Sequence, residues 1–307
     1  MKGNRLLRIT PLLLASCLAT EAFGAQRVFV RSNGTDTGSC TLNAPCRGFT
    51  YAMTQVDAGG EVVALDAAGY GTVTIDKSVT ITTNSGFFAG ISASTGAAIT
   101  VNGEGIYVVL RNLNLTGLGA LFGITVLQAN SLVVENCVVS GFGHNGINAG
   151  SGVTTRIANS TVRGNGFSEG GSGIYFGSNS TASVDNVRLS NNAAAGVQAD
   201  ASVDGSVTRV GITDSDSSGS GMGYWVFANS ETSATSQINI RRSSASKNIH
   251  GILVSNGSAT ATVAESSITF NEAGLNNGSG TLESFQNNHV QFNGTNVSGV
   301  VTPAMGQ

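Results

Sequence analysis

Apolar and polar residues alternate in short runs along most of this chain, and each run breaks its alternation at one place. In Val109-Leu110-Arg111-Asn112-Leu113-Asn114-Leu115 the apolar position two before Asn112 is followed by apolar positions one and three after it. The same break lies at Val133 to Val139, Arg156 to Val162 and Ser183 to Leu189, with weaker copies around Asp214, Arg242, Glu265 and Asn287. The eight anchors 112, 136, 159, 186, 214, 242, 265 and 287 are 22 to 28 residues apart, with a mean of 25. The position two before the anchor holds Leu110, Val134, Ile157, Val184, Ile212, Ile240, Val263 and Phe285. The position after it holds Leu113, Cys137, Ser160, Val187, Ser215, Ser243, Ser266 and Asn288, an inward stack of mostly small side chains.

Side chains on a strand have a period of two, so a one-residue phase shift means that the strand has turned a corner. Asn and Asp tolerate the left-handed backbone such a corner demands. A second landmark keeps step: Gly followed by a hydrophobe at 123, 146, 173, 196, 223, 251 and 274. Each repeat therefore reads as strand, one-residue corner, strand, looser turn, Gly, strand. That is a coil, and stacked coils bury what one coil cannot. Leucine-rich repeats lose their leucines after the first copy, no Gly-Gly-x-Gly-x-Asp array occurs, and no six-residue period is present.

Over residues 61–295 this pattern resembles the right-handed parallel β-helix of pectin-lyase-like proteins, many of them secreted by bacteria. The resemblance implies an all-β solenoid of about ten coils. It also implies an asparagine ladder at the corner, matched by Asn112, Asn136, Asn159 and Asn186 with Asp214 as a substitute; Arg242 and Glu265 depart from it. With a rise of about 4.8 Å per coil the rod would be about 45–50 Å long. An N-terminal cap is expected over 26–60: a strand at Arg27 to Val30, then an amphipathic helix at Arg47 to Val56, with Phe49, Ala52, Met53 and Val56 at helical spacing. Residues 296–307 read as a C-terminal tail.

Residues 1–25 read as an export signal: Lys2, Arg5 and Arg8, an apolar run Ile9 to Ala19, then small residues at Ala22-x-Gly24-Ala25. Leu14-Ala15-Ser16-Cys17 also resembles a lipoprotein cleavage box, but the downstream site favours export over lipid anchoring at Cys17. Cys40 and Cys46 bracket a loop that one disulfide can close, which suits an exported chain; Cys137 falls in the inward stack as an unreactive thiol. No other segment is long and apolar enough to span a membrane.

Composition narrows the function. The 307 residues include 42 Gly, and only 11% are charged, against about 25% in an ordinary domain. The chain carries 15 Lys and Arg against 18 Asp and Glu, so no basic patch for nucleic acid is expected. In the resembled family, ligands lie along the first strand of each coil, the one after the Gly landmark. The outward position there reads Asn148, Tyr175, Gln198, Trp225, Leu253 and Asn276. Amides and aromatics in line suit sugars: rings stack on aromatic faces and hydroxyls bond amides. Tyr175 and Trp225 should be two coils, or about 10 Å, apart, close to the length of a disaccharide.

No catalytic set is legible. Asp185, Asp214 and Asp216 fall at or beside the corner, where Arg188 and Asp216 share a register position suited to a surface ion pair. Gly143-His144-Asn145-Gly146 faintly resembles the Gly-His-Gly of the related hydrolases but lacks their Asp partners and later Arg-x-Lys. His250 and His289 are isolated. The expectation is an exported β-helix that binds polysaccharide or a cell-surface glycan along the first-strand face. No metal site and no cofactor are expected, Ca²⁺ being implied only for a lyase. The alternatives are a polysaccharide lyase or glycoside hydrolase of this fold, and a structural or adhesive surface rod.

Overall fold

The computed structural model describes residues 26–84 and 86–304. The expected export signal and Cys17 lie outside the described residues. Val and Thr are the commonest strand residues, as β-branched side chains suit a pleated, half-buried surface. Three parallel sheets result, of twelve, ten and ten strands, and each strand pairs with its counterpart one coil away. Within a coil the first strand (for example Ile174–Phe176) leads to the second (Thr181–Asp185), the corner at Asn186, and the third (Arg188–Ser190). The twelve strands of the second sheet, at about 4.8 Å each, give a rod of about 53 Å.

The corner is left-handed at every anchor from 112 to 265, with φ between 47° and 60°. Arg242 (φ 47°) and Glu265 (φ 50°) adopt it although neither is Asn or Asp. Their charges are paired: Arg242 donates two 2.8 Å bonds to Asp214, and Glu265 accepts one from Arg241. Side-chain bonding between successive corner amides is limited to Asn186 donating to Asn159 at 2.7 Å. Asn112 instead donates to the Thr83 carbonyl.

The continuous polar ladders run inside the coil. After each corner the stack Cys137, Ser160, Val187, Ser215, Ser243, Ser266 is buried. The Ser hydroxyls accept from the backbone N–H one coil below: Cys137 N–H to Ser160, Val187 N–H to Ser215, Ser215 N–H to Ser243, Ser243 N–H to Ser266. A second ladder fills the turn between third and first strands. There the N–H groups of Phe142, Asn165, Asn192, Ser220, Asn248 and Asn271 donate in order to the side chains of Asn165, Asn192, Ser220, Asn248, Asn271 and Asn293, at 2.9–3.2 Å. Buried backbone donors must be paired, and these side chains pair them.

That ladder explains the Gly landmark. None of the seven landmark glycines has positive φ. A Cβ on Gly146, Gly173 or Gly274 would lie 2.7 Å from the Nδ2 of Asn165, Asn192 or Asn293. The glycine is there for close approach to the next coil, to a backbone carbonyl at all seven positions and to a ladder amide at five, not for turn freedom.

The ends differ from expectation. Helix α1 spans Phe49–Gln55, shorter than Arg47 to Val56, because Arg47 and Gly48 are held by Asp36 and Gly48 is extended. Phe49, Ala52, Met53 and Val56 are buried against the first coil. A disulfide joins Cys40 to Cys46, and Cys137 is a buried free thiol. Arg27–Val30 is the first strand of the twelve-stranded sheet, so the cap shares the solenoid's hydrogen bonding. At the other end, the segment expected as a tail supplies strands Thr295–Ser298 and Thr302–Pro303. Phe285 is only half-buried; Leu282 fills the core there.

Candidate cleft on the first-strand sheet

The inward Ile147, Ile174, Val197, Tyr224, Ile252 and Leu275 are buried, which turns the residue after each of them outward. Asn148, Tyr175, Gln198, Trp225, Leu253 and Asn276 are successive register partners and form one unbroken row. Tyr175 and Trp225 flank Gln198, one coil away on either side. All six are half-buried rather than fully exposed. Neighbouring turns rise beside the sheet and make a cleft of about 390 Å³, lined by Phe122, His144, Asn145, Asn148, Gly170, Gly171, Tyr175, Gln198 and Trp225. The cleft brings together four of the row residues, while Leu253 and Asn276 continue the row beyond it.

Hydrogen bonds fix the amides. Asn148 donates to Thr125 Oγ1 at 3.2 Å and accepts from Asn145 Nδ2 at 3.3 Å. Asn145 Oδ1 accepts from the Ser172 N–H at 2.7 Å, and Ser172 Oγ donates to Gln198 Oε1 at 2.8 Å. The Trp225 indole donates to Ser255 Oγ at 2.6 Å and meets Phe227 edge-on, with ring centroids 6.3 Å apart. Such a pinned ring offers a rigid apolar face at little entropic cost.

The wall facing Tyr175 comes from the loop 164–173. Gly166 is left-handed (φ 85°), and a Cβ there would overlap the backbone of Gly171. Ser168 and Glu169 N–H both donate to the Gly143 carbonyl, tying the loop to the segment that carries His144. His144 stands edge-on to Phe122 at 5.3 Å. Its Nδ1 is buried without a hydrogen-bond partner among the described residues.

Several residues depart from the sequence reading. Asp200 lies two residues after Gln198 on the same outward face, so the face carries a carboxyl. Burial raises the Asp200 pKa above the ordinary carboxylate value, against the opposing bonds from Ser202 and Gln198. Burial, with the nearby Asp200 charge, pushes the Tyr175 phenol up to about 12. His250 is not isolated: its Nδ1 lies 3.2 Å from Asn276 Nδ2. Arg188 and Asp216 are register partners, but Asp216 accepts from Ser244 Oγ at 2.6 Å, and the ion pair at this corner is Arg242 with Asp214. Among the described residues, no group of three or more His, Cys, Asp and Glu side chains is placed to hold a metal ion. Nor, among them, is any helix long and apolar enough to cross a membrane.

The missed wall residues left a partial signal. Asp200 follows from the same two-residue parity that found Gln198. His144 and Asn145 sit on a turn, which strand periodicity does not address, and Phe122 opens the strand Phe122–Gln128 just before the Gly landmark.

Three solved structures share this architecture. The chain is similar to the alginate lyase from Paenibacillus sp. str. FPU-7 (TM-score 0.67, 18% identity, covering 90% of this chain and 99% of that one). It is similar to the pectate lyase Pel9A (TM-score 0.63, 19% identity, 92% of this chain and 78% of that one). It is also similar to a rhamnogalacturonan lyase (TM-score 0.64, 13% identity, 90% and 84%). At these identities the likeness is one of fold. No curated protein matches the chain. The family described as "Right handed beta helix region" matches residues 60–199 and 95–297, and with three parallel sheets wound from one repeat the chain belongs to the right-handed β-helix family.

Proposed function

We propose that this chain is an exported β-helix protein that binds polysaccharide in the cleft over its first-strand sheet. The observation that carries the reading is the in-register row Asn148–Tyr175–Gln198–Trp225 along one wall-lined cleft. Tyr175 and Trp225 are about 10 Å apart and would stack two sugar rings, while Asn148 and Gln198 offer amide groups to hydroxyls. Their mutual bonding to Thr125, Asn145 and Ser172 orients these amides before a ligand arrives, which lowers the ordering cost of binding. The disulfide supports export, because such bonds persist in oxidising compartments. The similar structures named as lyases of pectate, alginate and rhamnogalacturonan support a carbohydrate partner.

The test is a glycan array followed by calorimetry, with Trp225→Ala and Tyr175→Ala. Removing either aromatic should weaken binding at least about fivefold, given roughly 1 kcal/mol or more per stacked ring. Binding unchanged in both variants would refute the assignment of this face.

One observation favours a second reading, cleavage of the bound glycan: the Asp200 carboxyl, its pKa raised by burial, lies close enough to raise the Tyr175 phenol, and Tyr175 lines the cleft with His144. Perturbed groups in a cleft mark candidate acids and bases. Incubation with a polysaccharide panel, read by reducing ends and by absorbance of unsaturated products, separates the readings; a silent panel leaves binding alone.

A further inference from the structure

Acidic side chains predominate around the cleft. Among the described residues of the first-strand sheet, Asp200 is the only Asp, Glu, Lys or Arg, with His250 the one other titratable acid or base besides the tyrosines. The turns flanking the coils from Asn148 to Trp225 carry Glu169 on the loop that makes the wall, and Asp204 and Glu231 on the opposite side. Those turns contain no Lys or Arg. One cation, Lys247, stands a coil beyond Trp225 on the turn that leads into His250–Ser255. The arginines of these coils stand on the other two sheets, Arg111, Arg156, Arg209 and Arg241 on the second strands and Arg163 and Arg188 on the third, with Arg242 at a corner. Arg111 and Arg156 are already committed to Glu135, and Arg241 to Glu265.

From this distribution we propose that the cleft selects uncharged glycans and rejects uronate polymers. The inference rests on the glycan-binding reading of the same face and names its substrate class. A polyuronate carries a carboxylate on every residue, and sites that hold such chains supply cations to meet them. Here an incoming carboxylate meets Asp200 on the same sheet face, next to the row, and Glu169, Asp204 and Glu231 on the flanking turns. A neutral chain meets only amides, hydroxyls and aromatic faces. Rejection by unmatched like charge is the repulsive half of specificity. The charge pattern thus separates this chain from what the names of the similar lyases suggest.

The experiment is calorimetry with length-matched oligosaccharides: neutral β-linked gluco-, xylo- and manno-oligomers against oligogalacturonate and oligoalginate, each with and without Ca²⁺. The expected result is that at least one neutral series binds and loses affinity in Trp225→Ala. Uronate oligomers should bind at least about tenfold more weakly and gain affinity as salt rises, since screening relieves repulsion. The rim variant Glu169→Gln/Asp204→Asn/Glu231→Gln should strengthen uronate binding several-fold and leave neutral binding within about twofold. Uronates binding more tightly than every neutral series, sensitive to Trp225→Ala, would overturn the charge inference and preserve the glycan-binding face. Binding of neither class would overturn both.

Discussion

Replacing Asn248 with alanine should destabilise the solenoid far more than replacing any corner asparagine. Asn248 is 3% exposed and sits in the inner ladder. Its Oδ1 accepts the Ser220 N–H at 2.9 Å, and its Nδ2 donates to the Ser217 carbonyl at 3.2 Å and to Asn271 Oδ1 at 3.0 Å. Alanine would leave the Ser220 N–H buried and unpaired, at a cost of about 2 kcal/mol, and would remove two further bonds worth about 1 kcal/mol each. The expected loss is about 4 kcal/mol, a large fraction of the roughly 5–15 kcal/mol that holds a folded domain. Asn186→Ala is the control. Asn186 lies outward, gives up one 2.7 Å bond to Asn159, and leaves alanine at φ 51°, for a cost of about 1–2 kcal/mol. Urea unfolding followed by circular dichroism measures both. Because a solenoid can open in parts, amide exchange at Ser220 localises the effect and should accelerate only in Asn248→Ala. A loss under about 1 kcal/mol for Asn248→Ala, or a larger loss for Asn186→Ala, would refute the assignment of ladder energy to the inner amides.

Two further outcomes test other parts of the structure. Arg111 and Arg156 flank Glu135 at 2.8 and 2.5 Å and hold its carboxyl below the ordinary glutamate value. A depressed folded pKa contributes stability above the unfolded value and loses it as pH falls through the folded one. Glu135→Gln should therefore cost about 1 kcal/mol at about pH 7, and the gap to the parent should close on acidification below about 4.5; a gap independent of pH in urea melts would contradict this. Burial pushes the Cys137 thiol up to about 12, so alkylation mapped by mass spectrometry should label Cys137 only after unfolding. Labelling in the folded protein would place that thiol outside the inward stack.

The solenoid was readable because burial imposes it on every copy: the residue two before each corner has to be apolar from Leu110 to Val263, whatever else varies. The corner was readable because left-handed backbone favours Asn and Asp, yet Arg242 and Glu265 show that a neighbouring opposite charge can hold the same conformation. The inner ladder was overlooked although its residues recur six after the anchor, at Asn165, Asn192, Asn248, Asn271 and Asn293. Asn was read as a corner residue, and a buried amide carries no hydrophobic signature. The row on the first-strand face followed from strand parity alone, and Asp200 follows from the same parity. The cleft did not, since its walls are turns whose height is set by packing between coils rather than by a period in the sequence.

Because the row on the first-strand sheet takes one residue from each coil, its geometry is quantised. A point substitution changes what Tyr175 or Trp225 presents but barely moves either, since the ladders above and below clamp every coil. Duplicating the coil between them would lengthen their separation by one rise, about 4.8 Å, and add one new facing residue. Length preference and chemical preference can therefore diverge independently in this protein, the first by gain or loss of whole repeats, the second by single-residue changes along the row.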